Sequence, residues 1–251
     1  METKSYILIS GSTSGMGMFI AQRLSGNYNL ILNGRNKEKV ESVIAGCQNQ
    51  DNHKVWICDL MEVDKIENSL RQFLVENSAK VSHFIHCAGY LKMMPLRNIS
   101  FGNLEETMNV NFNSAVLIIK TLINKKLNSS GLNNIVFISS TASIMGAKAF
   151  NVYSASKGAL DALMRSLAVE LAPATRVNSI LPGAIQTAMT ESIYGNEELA
   201  AKMHKEYPLG QGNVEDIYEM VSFLISDKSK WITGQQFVVD GGRSINISTQ
   251  S

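Results

Sequence analysis

Short, wholly apolar runs alternate along this chain with longer stretches in which apolar residues recur at helical spacing. Tyr6-Ile-Leu-Ile-Ser10 ends in glycines, and Met16 to Leu24 follows with helix-like periodicity, so the opening reads as strand, glycine-rich turn and helix. Leu30-Ile-Leu-Asn33 and Lys54-Val-Trp-Ile-Cys58 are two further buried-type strands, each followed by a helical stretch, Asn36 to about Cys47 and Asp64 to about Val75. A fourth strand, Ser82 to Cys87, is closed by Ala88-Gly89, and a long helix is predicted from about Gly102 to Leu127, with Asn128-Ser-Ser-Gly131 stopping it. Asn134 to Ser139 is the fifth strand, and the helix after it carries Tyr153 and Lys157 and leaves through Ala172-Pro173. Arg176 to Leu181, closed by Pro182-Gly183, is the sixth strand. A polar, methionine-containing stretch over 184–212 reads as a substrate lid, Asn213-Val-Glu-Asp216 opens a helix with a capping pattern, and Phe237 to Asp240 is the last strand.

Strands that are apolar throughout, each followed by an amphipathic helix, imply a parallel sheet covered on both faces. The predicted fold is α/β: one doubly wound domain over 1–251, with about seven parallel strands. Composition adds little beyond globularity. Hydrophobic residues are 45%, charged residues 18% and the formal net charge is +1, which gives no electrostatic reason to expect nucleic acid. No stretch approaches the ~18 apolar residues needed to span a bilayer, so no membrane partner is expected. Cys47, Cys58 and Cys87 are odd in number and widely spaced, and read as buried thiols in a reducing, cytoplasmic compartment. His53, His83, His86 and His204 show no ligand spacing, so no metal is expected.

Candidate chemistry lies at two places. Gly11-Ser-Thr-Ser-Gly15-Met-Gly17 sits between the first strand and its helix, where glycines let backbone N–H groups approach a pyrophosphate at the helix N-terminus. Its G-x-x-x-G-x-G spacing differs from the common dinucleotide fingerprint and from an ATP-type P-loop. Tyr153 and Lys157 share a helix face, and an ammonium beside a phenol favours the phenolate and lowers its pKa from the usual ~10. Taken alone, Tyr153-Ser-Ala-Ser-Lys157 fits an ordinary surface helix.

The glycine turn, Ser140 thirteen residues before Tyr153, Lys157 four after it, and Pro182-Gly183 after the next strand together resemble the short-chain dehydrogenase/reductase family. Asn111 within Asn109-Val-Asn111, Asp59, Thr187 and Val239-Asp-Gly-Gly242 fall at matching places, so the resemblance covers the whole chain. It implies a Rossmann-type domain and a catalytic tetrad of Asn111, Ser140, Tyr153 and Lys157. Ser140 would orient the substrate oxygen and Tyr153 would exchange a proton with it. Lys157 would hold the nicotinamide ribose and tune Tyr153, and Asn111 would support a water leading to solvent. The implied cofactor contacts are Gly11, Ser12, Ser14, Gly15, Met16, Gly17, Arg35, Asp59, Leu60, Ala88, Gly89, Tyr153, Lys157, Pro182, Gly183, Ile185 and Thr187.

Arg35 follows the second strand where an NAD-preferring relative often has an acidic residue, and a guanidinium suits a 2′-phosphate. NADP(H) is therefore the expected cofactor, with Ser12 and Asn36 as helpers and NAD(H) as the alternative. His86-Cys87 stands where the family usually shows Asn-Asn, which removes the hydrogen bonds an Asn would offer to neighbouring strands. Tyr90, Met94, Met145, Phe150, Met189, Ile193 and Tyr194 are candidate walls of an apolar substrate pocket.

Pro208-Leu-Gly210 and the Gly234-to-Gly242 ending resemble the 3-oxoacyl-carrier-protein reductase-like branch, although Lys125-Lys126 is the one obvious basic pair for an acidic carrier. The expected reaction interconverts a ketone, 3-oxoacyl compounds among the candidates, and a secondary alcohol. The alternatives are an NAD-linked dehydrogenase of a sugar, steroid or other secondary alcohol, and a non-catalytic nucleotide-binding regulatory protein. By analogy the chain is expected to form a homo-oligomer, a tetramer or dimer, with Ala115–Ile119 facing a neighbour.

Overall fold

The computed structural model describes residues 5–129, 131–187 and 205–247. Seven described strands form one parallel sheet in the order β3-β2-β1-β4-β5-β6-β7. They are β1 (Ser5–Ser10), β2 (Asn29–Gly34), β3 (Lys54–Ile57), β4 (Lys80–His86), β5 (Asn134–Ile138), β6 (Arg176–Pro182) and β7 (Gln236–Val239). The order reverses direction beside β1, the switch point at which the carboxyl ends of β1 and β4 diverge and leave a crevice.

The strands read as unbroken apolar runs because both faces of the sheet are buried. In β1, Tyr6 and Leu8 enter one apolar cluster while Ile7 and Ile9 enter the other. The first cluster is completed by residues of α3 (Val63–Glu76), α5 (Ser114–Leu122) and α6 (Asn151–Glu170), including Leu70, Ile118 and Leu160. The second is completed by α1 (Gly15–Leu24), α2 (Lys37–Ala45) and α7 (Val214–Ile225), including Ile20, Val40 and Val221. Each layer therefore has its own core. Asn213 caps α7 reciprocally with Asp216, as the capping pattern predicts. Among the described residues no helix is long and apolar enough to cross a membrane.

The long helix expected over 102–127 differs in two ways. It begins as α4 (Phe101–Met108), passes through a π-helical turn (Asn109–Asn113) and ends as α5 at Leu122. The early stop has a local cause: the Asn128 side-chain amide donates to the carbonyls of Leu122 and Val81, and its oxygen accepts from the Val81 N–H at 2.8 Å. One side chain thus ends α5 and ties it to β4. Of the Ala115–Ile119 section expected to face a neighbour, Ala115, Ile118 and Ile119 are buried in the chain's own core, while Val116 and Leu117 are half-buried. Cys47 and Cys58 are buried as expected, whereas Cys87 is half-buried and lines a cleft. Of the expected lid, 188–204 lies outside the described residues.

Candidate active site

At the end of β1 the backbone turns left-handed at Gly11 (φ +65°) and again at Gly15 (φ +51°), where α1 starts. A Cβ on Gly11 would lie 2.6 Å from the Cα of Ala88, and one on Gly17 would lie 2.3 Å from the carbonyl oxygen of Gly11. Glycines are thus required for the turn to seat against β4's exit loop. Ser14, the N-cap residue, makes no side-chain cap, which leaves the first N–H groups of α1 and the positive end of its dipole to an anion. The turn forms one wall of a cleft of about 280 Å³.

Gly11, Ser14, Gly15, Met16, Gly17, Arg35, Asp59, Leu60, Ala88, Gly89 and Thr187 all line this cleft. Ser12 does not: it is fully buried and its hydroxyl donates to the Asn33 carbonyl at 3.0 Å. Asn36 is likewise committed, its side chain accepting from the Lys39 N–H to cap α2. Arg35, with 74% of its side chain exposed, stands at the rim 3.9 Å from the Asp59 carboxylate. Thr13 and Val110 also line the cleft and were not singled out by sequence, and Cys87, read there as a buried thiol, lines it too. Thr13 lies between the glycines and Val110 inside Asn109-Val-Asn111, so both were within reach of the motifs. Glycine-shaped walls, a helix N-terminus without a side-chain cap and a cation at the far rim fit a nucleotide carrying a pyrophosphate.

Met16 and Thr187 also border a second cavity of about 530 Å³, which joins the cleft to Ser140 and Tyr153. Pro182, Gly183 and Ile185 line this second cavity, as do the expected walls Met145 and Phe150. Tyr90 is corrected to the nucleotide cleft, and Met94 to a small separate recess beside Val152. Met189, Ile193 and Tyr194 lie outside the described residues.

Ser140 leaves β5 in extended conformation and its oxygen accepts from the Ala142 N–H at 3.1 Å. Its hydroxyl proton is thereby left to donate outward. Tyr153 stands on the first turn of α6, edge-on to Phe150 at 6.0 Å between ring centres. Burial pushes its phenol above the usual value, and the hydrogen bond from Ser140 works in the opposite direction. This corrects the sequence expectation of a lowered pKa, which counted the neighbouring ammonium and not the desolvation. Lys157 lies 5.7 Å from the centre of the Tyr153 ring and donates to the Ile138 carbonyl at 2.8 Å. Burial lowers its pKa from 10.5 to about 8, against the opposing charge of Asp161. Lys157 lines neither cavity.

Asn111 is fully buried in the π-helical turn. Its side-chain oxygen accepts from the Tyr90 N–H at 2.6 Å, and its amide donates to the Tyr90 carbonyl and to Ser156 Oγ. Its own carbonyl accepts from His86 Nε2 at 3.2 Å, which fixes the tautomer and leaves His86 Nδ1 to accept from the Ser10 hydroxyl at 2.8 Å. The loss of strand-bridging bonds expected from His86 is therefore corrected: the imidazole links β1 to the Asn111 turn. Burial, reinforced by the charge of Lys157, lowers the His86 pKa from 6.5 to about 3 and keeps the ring neutral. Burial raises the Cys87 thiol to about 12. No group of three or more His, Cys, Asp or Glu could hold a metal among the described residues.

The sequence model of the family described as enoyl-(acyl carrier protein) reductase matches residues 11–244. The chain is 30% identical over 244 residues to a chloroplastic tropinone reductase homologue of Arabidopsis thaliana, covering 95% of this chain and 75% of the relative. It is 30% identical over 239 residues to the 3-oxoacyl-[acyl-carrier-protein] reductase FabG of Rickettsia conorii, covering 94% and 95%. A solved 4-hydroxyisoleucine dehydrogenase complexed with NADH superposes with a TM-score of 0.89 at 28% identity, covering 96% of this chain and 99% of that one. With its seven-stranded sheet and glycine-lined switch-point cleft, the chain belongs to the short-chain dehydrogenase/reductase family and is an NAD(P)-dependent oxidoreductase.

Proposed function

We propose that the enzyme interconverts a ketone and a secondary alcohol with NADP(H), using Tyr153 as the acid/base. The observation that carries this reading is the shared cavity of Ser140 and Tyr153, continuous through Met16 and Thr187 with the glycine-lined cleft. Bound in that cleft, a nicotinamide dinucleotide would supply or accept the hydride. Ser140 presents its hydroxyl proton to the substrate oxygen and holds it beside the phenol, so that the pair is positioned before reaction. Tyr153, raised in pKa and hence protonated at neutral pH, gives its proton to that oxygen during reduction and takes it back in reverse. Lys157 is charged below about pH 8 and offsets part of the cost of a phenolate. Asn111 fixes the Tyr90 backbone and, through His86, the end of β1.

Arg35 at the rim supports NADP(H), because a guanidinium there can pair with a 2′-phosphate. A second reading, NAD(H), draws support from the NADH complex of the 28%-identical neighbour and from Asp59, which already partners Arg35. Titration of the two reduced nucleotides decides between them: tighter NADPH binding is expected, and Arg35→Ala should erase the difference. A clear preference for NADH in the unaltered protein overturns the NADP(H) assignment. In a ketone and 3-oxoacyl panel, Tyr153→Phe should bind nucleotide normally and lose turnover ~100-fold or more. Near-normal turnover by that variant removes Tyr153 from its role. A cytoplasmic location accords with the three free thiols.

A further inference from the structure

The second cavity has one charged wall, built by the chain's last turn. After β7 the backbone is left-handed at Gly241 and Gly242 (φ +59° and +85°), and the Asp240 carboxylate accepts from the N–H groups of Gly242 and Ser244 at 2.9 and 2.7 Å. This turn sets the direction of Arg243. Arg243 Nε and Nη2 both donate to Glu206 Oε2, at 2.9 and 2.7 Å, and the guanidinium lies 5.7 Å from the centre of the Tyr207 ring. Among the described residues Nη1 reaches only the Met145 sulfur at 3.9 Å, a weak acceptor. Glu206 and Tyr207 thus hold the guanidinium and leave one strong donor pair without a strong acceptor.

Arg243, Glu206 and Lys148 all line the cavity that contains Ser140 and Tyr153, and no other Asp, Glu, Lys or Arg among the described residues does. Among the described lining residues two cations face one carboxylate, and the Asp240 carboxylate behind them is engaged by the N–H groups of Gly242 and Ser244. Lys148 is exposed and forms no ion pair among the described residues. The rest of the lining is largely apolar, with Leu91, Met93, Phe150 and Ile185. An apolar chamber with hydroxyls at one place and an under-used guanidinium at another suits a small amphiphile with an oxygen to be reduced and an anion to be paired.

We propose that the substrates are short carbonyl or alcohol compounds bearing a carboxylate, which Arg243 Nη1 binds with Lys148 assisting. This rests on the oxidoreductase reading of the same cavity. Glu206 acts as a positioning residue that keeps the guanidinium plane aimed.

The test uses matched pairs of oxo acids of about four to six carbons and their methyl esters, assayed with the preferred reduced nucleotide. The expected result is a kcat/KM for the acid at least ~10-fold above that for its ester, carried mainly by KM, since a charge-assisted hydrogen bond is worth ~1.5–3 kcal/mol. Arg243→Met should bring the ratio close to one and Arg243→Lys should restore part of it. The ratio is internal to each protein, so a general loss of activity does not imitate it. If esters and acids are reduced equally well, the carboxylate proposal is overturned and the ketone reductase reading stands. If nucleotide binds and no member of either set reacts, the ketone reductase reading fails for these compounds. Binding of glutarate and dimethyl glutarate to the nucleotide complex then decides: tighter glutarate binding, lost in Arg243→Met, supports the anion site, and equal binding overturns it.

Discussion

His86 is completely buried and uses both ring nitrogens, accepting from Ser10 at Nδ1 and donating to the Asn111 carbonyl at Nε2. Replacing it by Leu removes the acceptor of the Ser10 hydroxyl proton and the side-chain donor to the Asn111 carbonyl, at a cost of ~1–3 kcal/mol at pH 7. The same residue makes the fold acid-sensitive. Its pKa is 6.5 when free and about 3 in the fold, so between those values the unfolded chain binds the extra proton and stability falls as pH falls. Urea midpoints at pH 7 and pH 4.5 should therefore drop further for the natural protein than for His86→Leu. Equal drops would show that the imidazole does not carry this dependence.

The sequence identified His86 as a departure and misjudged what it does, because an imidazole's partners come from β1 and from a turn distant along the chain. The direction of the Tyr153 shift was hidden for the same reason. Lys157 is adjacent in the helix and could be read, but the burial of the phenol depends on how α6 lies against the rest of the fold. Arg243 and Glu206 lie too far apart in the chain for spacing to reveal their pairing, and no motif marks either.

At the scale of elements, alternation of apolar strands and helices was enough to find all seven described strands, with ends displaced by one or two residues. What periodicity could not show was the break in the helix that carries Asn111. Asn109 to Asn113 keep an apolar and polar pattern compatible with a continuous helix, yet there the turn widens to π form, with the Ser114 hydroxyl donating to the Val110 carbonyl at 2.7 Å. The end of α5 was missed because Asn128, read as a loop residue, acts on β4 and the helix terminus together. Asn128→Ala removes three buried hydrogen bonds at one point. It should lower stability by ~2–4 kcal/mol, reading as a lower urea midpoint with little change in slope. A loss under ~1 kcal/mol would mean that water replaces the amide.

For the whole molecule, the sheet order places two kinds of machinery on opposite sides of one wall. α1, which begins at the glycine turn, belongs to one apolar cluster; α6, which carries Tyr153 and Lys157, belongs to the other. Leu160→Ala cuts into the α6 layer and Ile20→Ala into the α1 layer, each at ~2–5 kcal/mol. Because the sheet separates the sites, the double variant should lose the sum of the two within ~0.5 kcal/mol, as measured by urea unfolding of all four proteins. A large departure from additivity would mean that the sheet transmits repacking from one face to the other.

The alternation of Tyr6, Ile7, Leu8 and Ile9 between clusters also bears on how such an enzyme can change its chemistry. Since α1 and α6 draw on separate interiors, substitutions at the proposed substrate walls Met145, Phe150 or Arg243 leave the packing beneath the glycine turn unchanged. β1 serves as a partition between two design problems, which meet at Met16 and Thr187 on the cavity side and at the His86 bridge within the core.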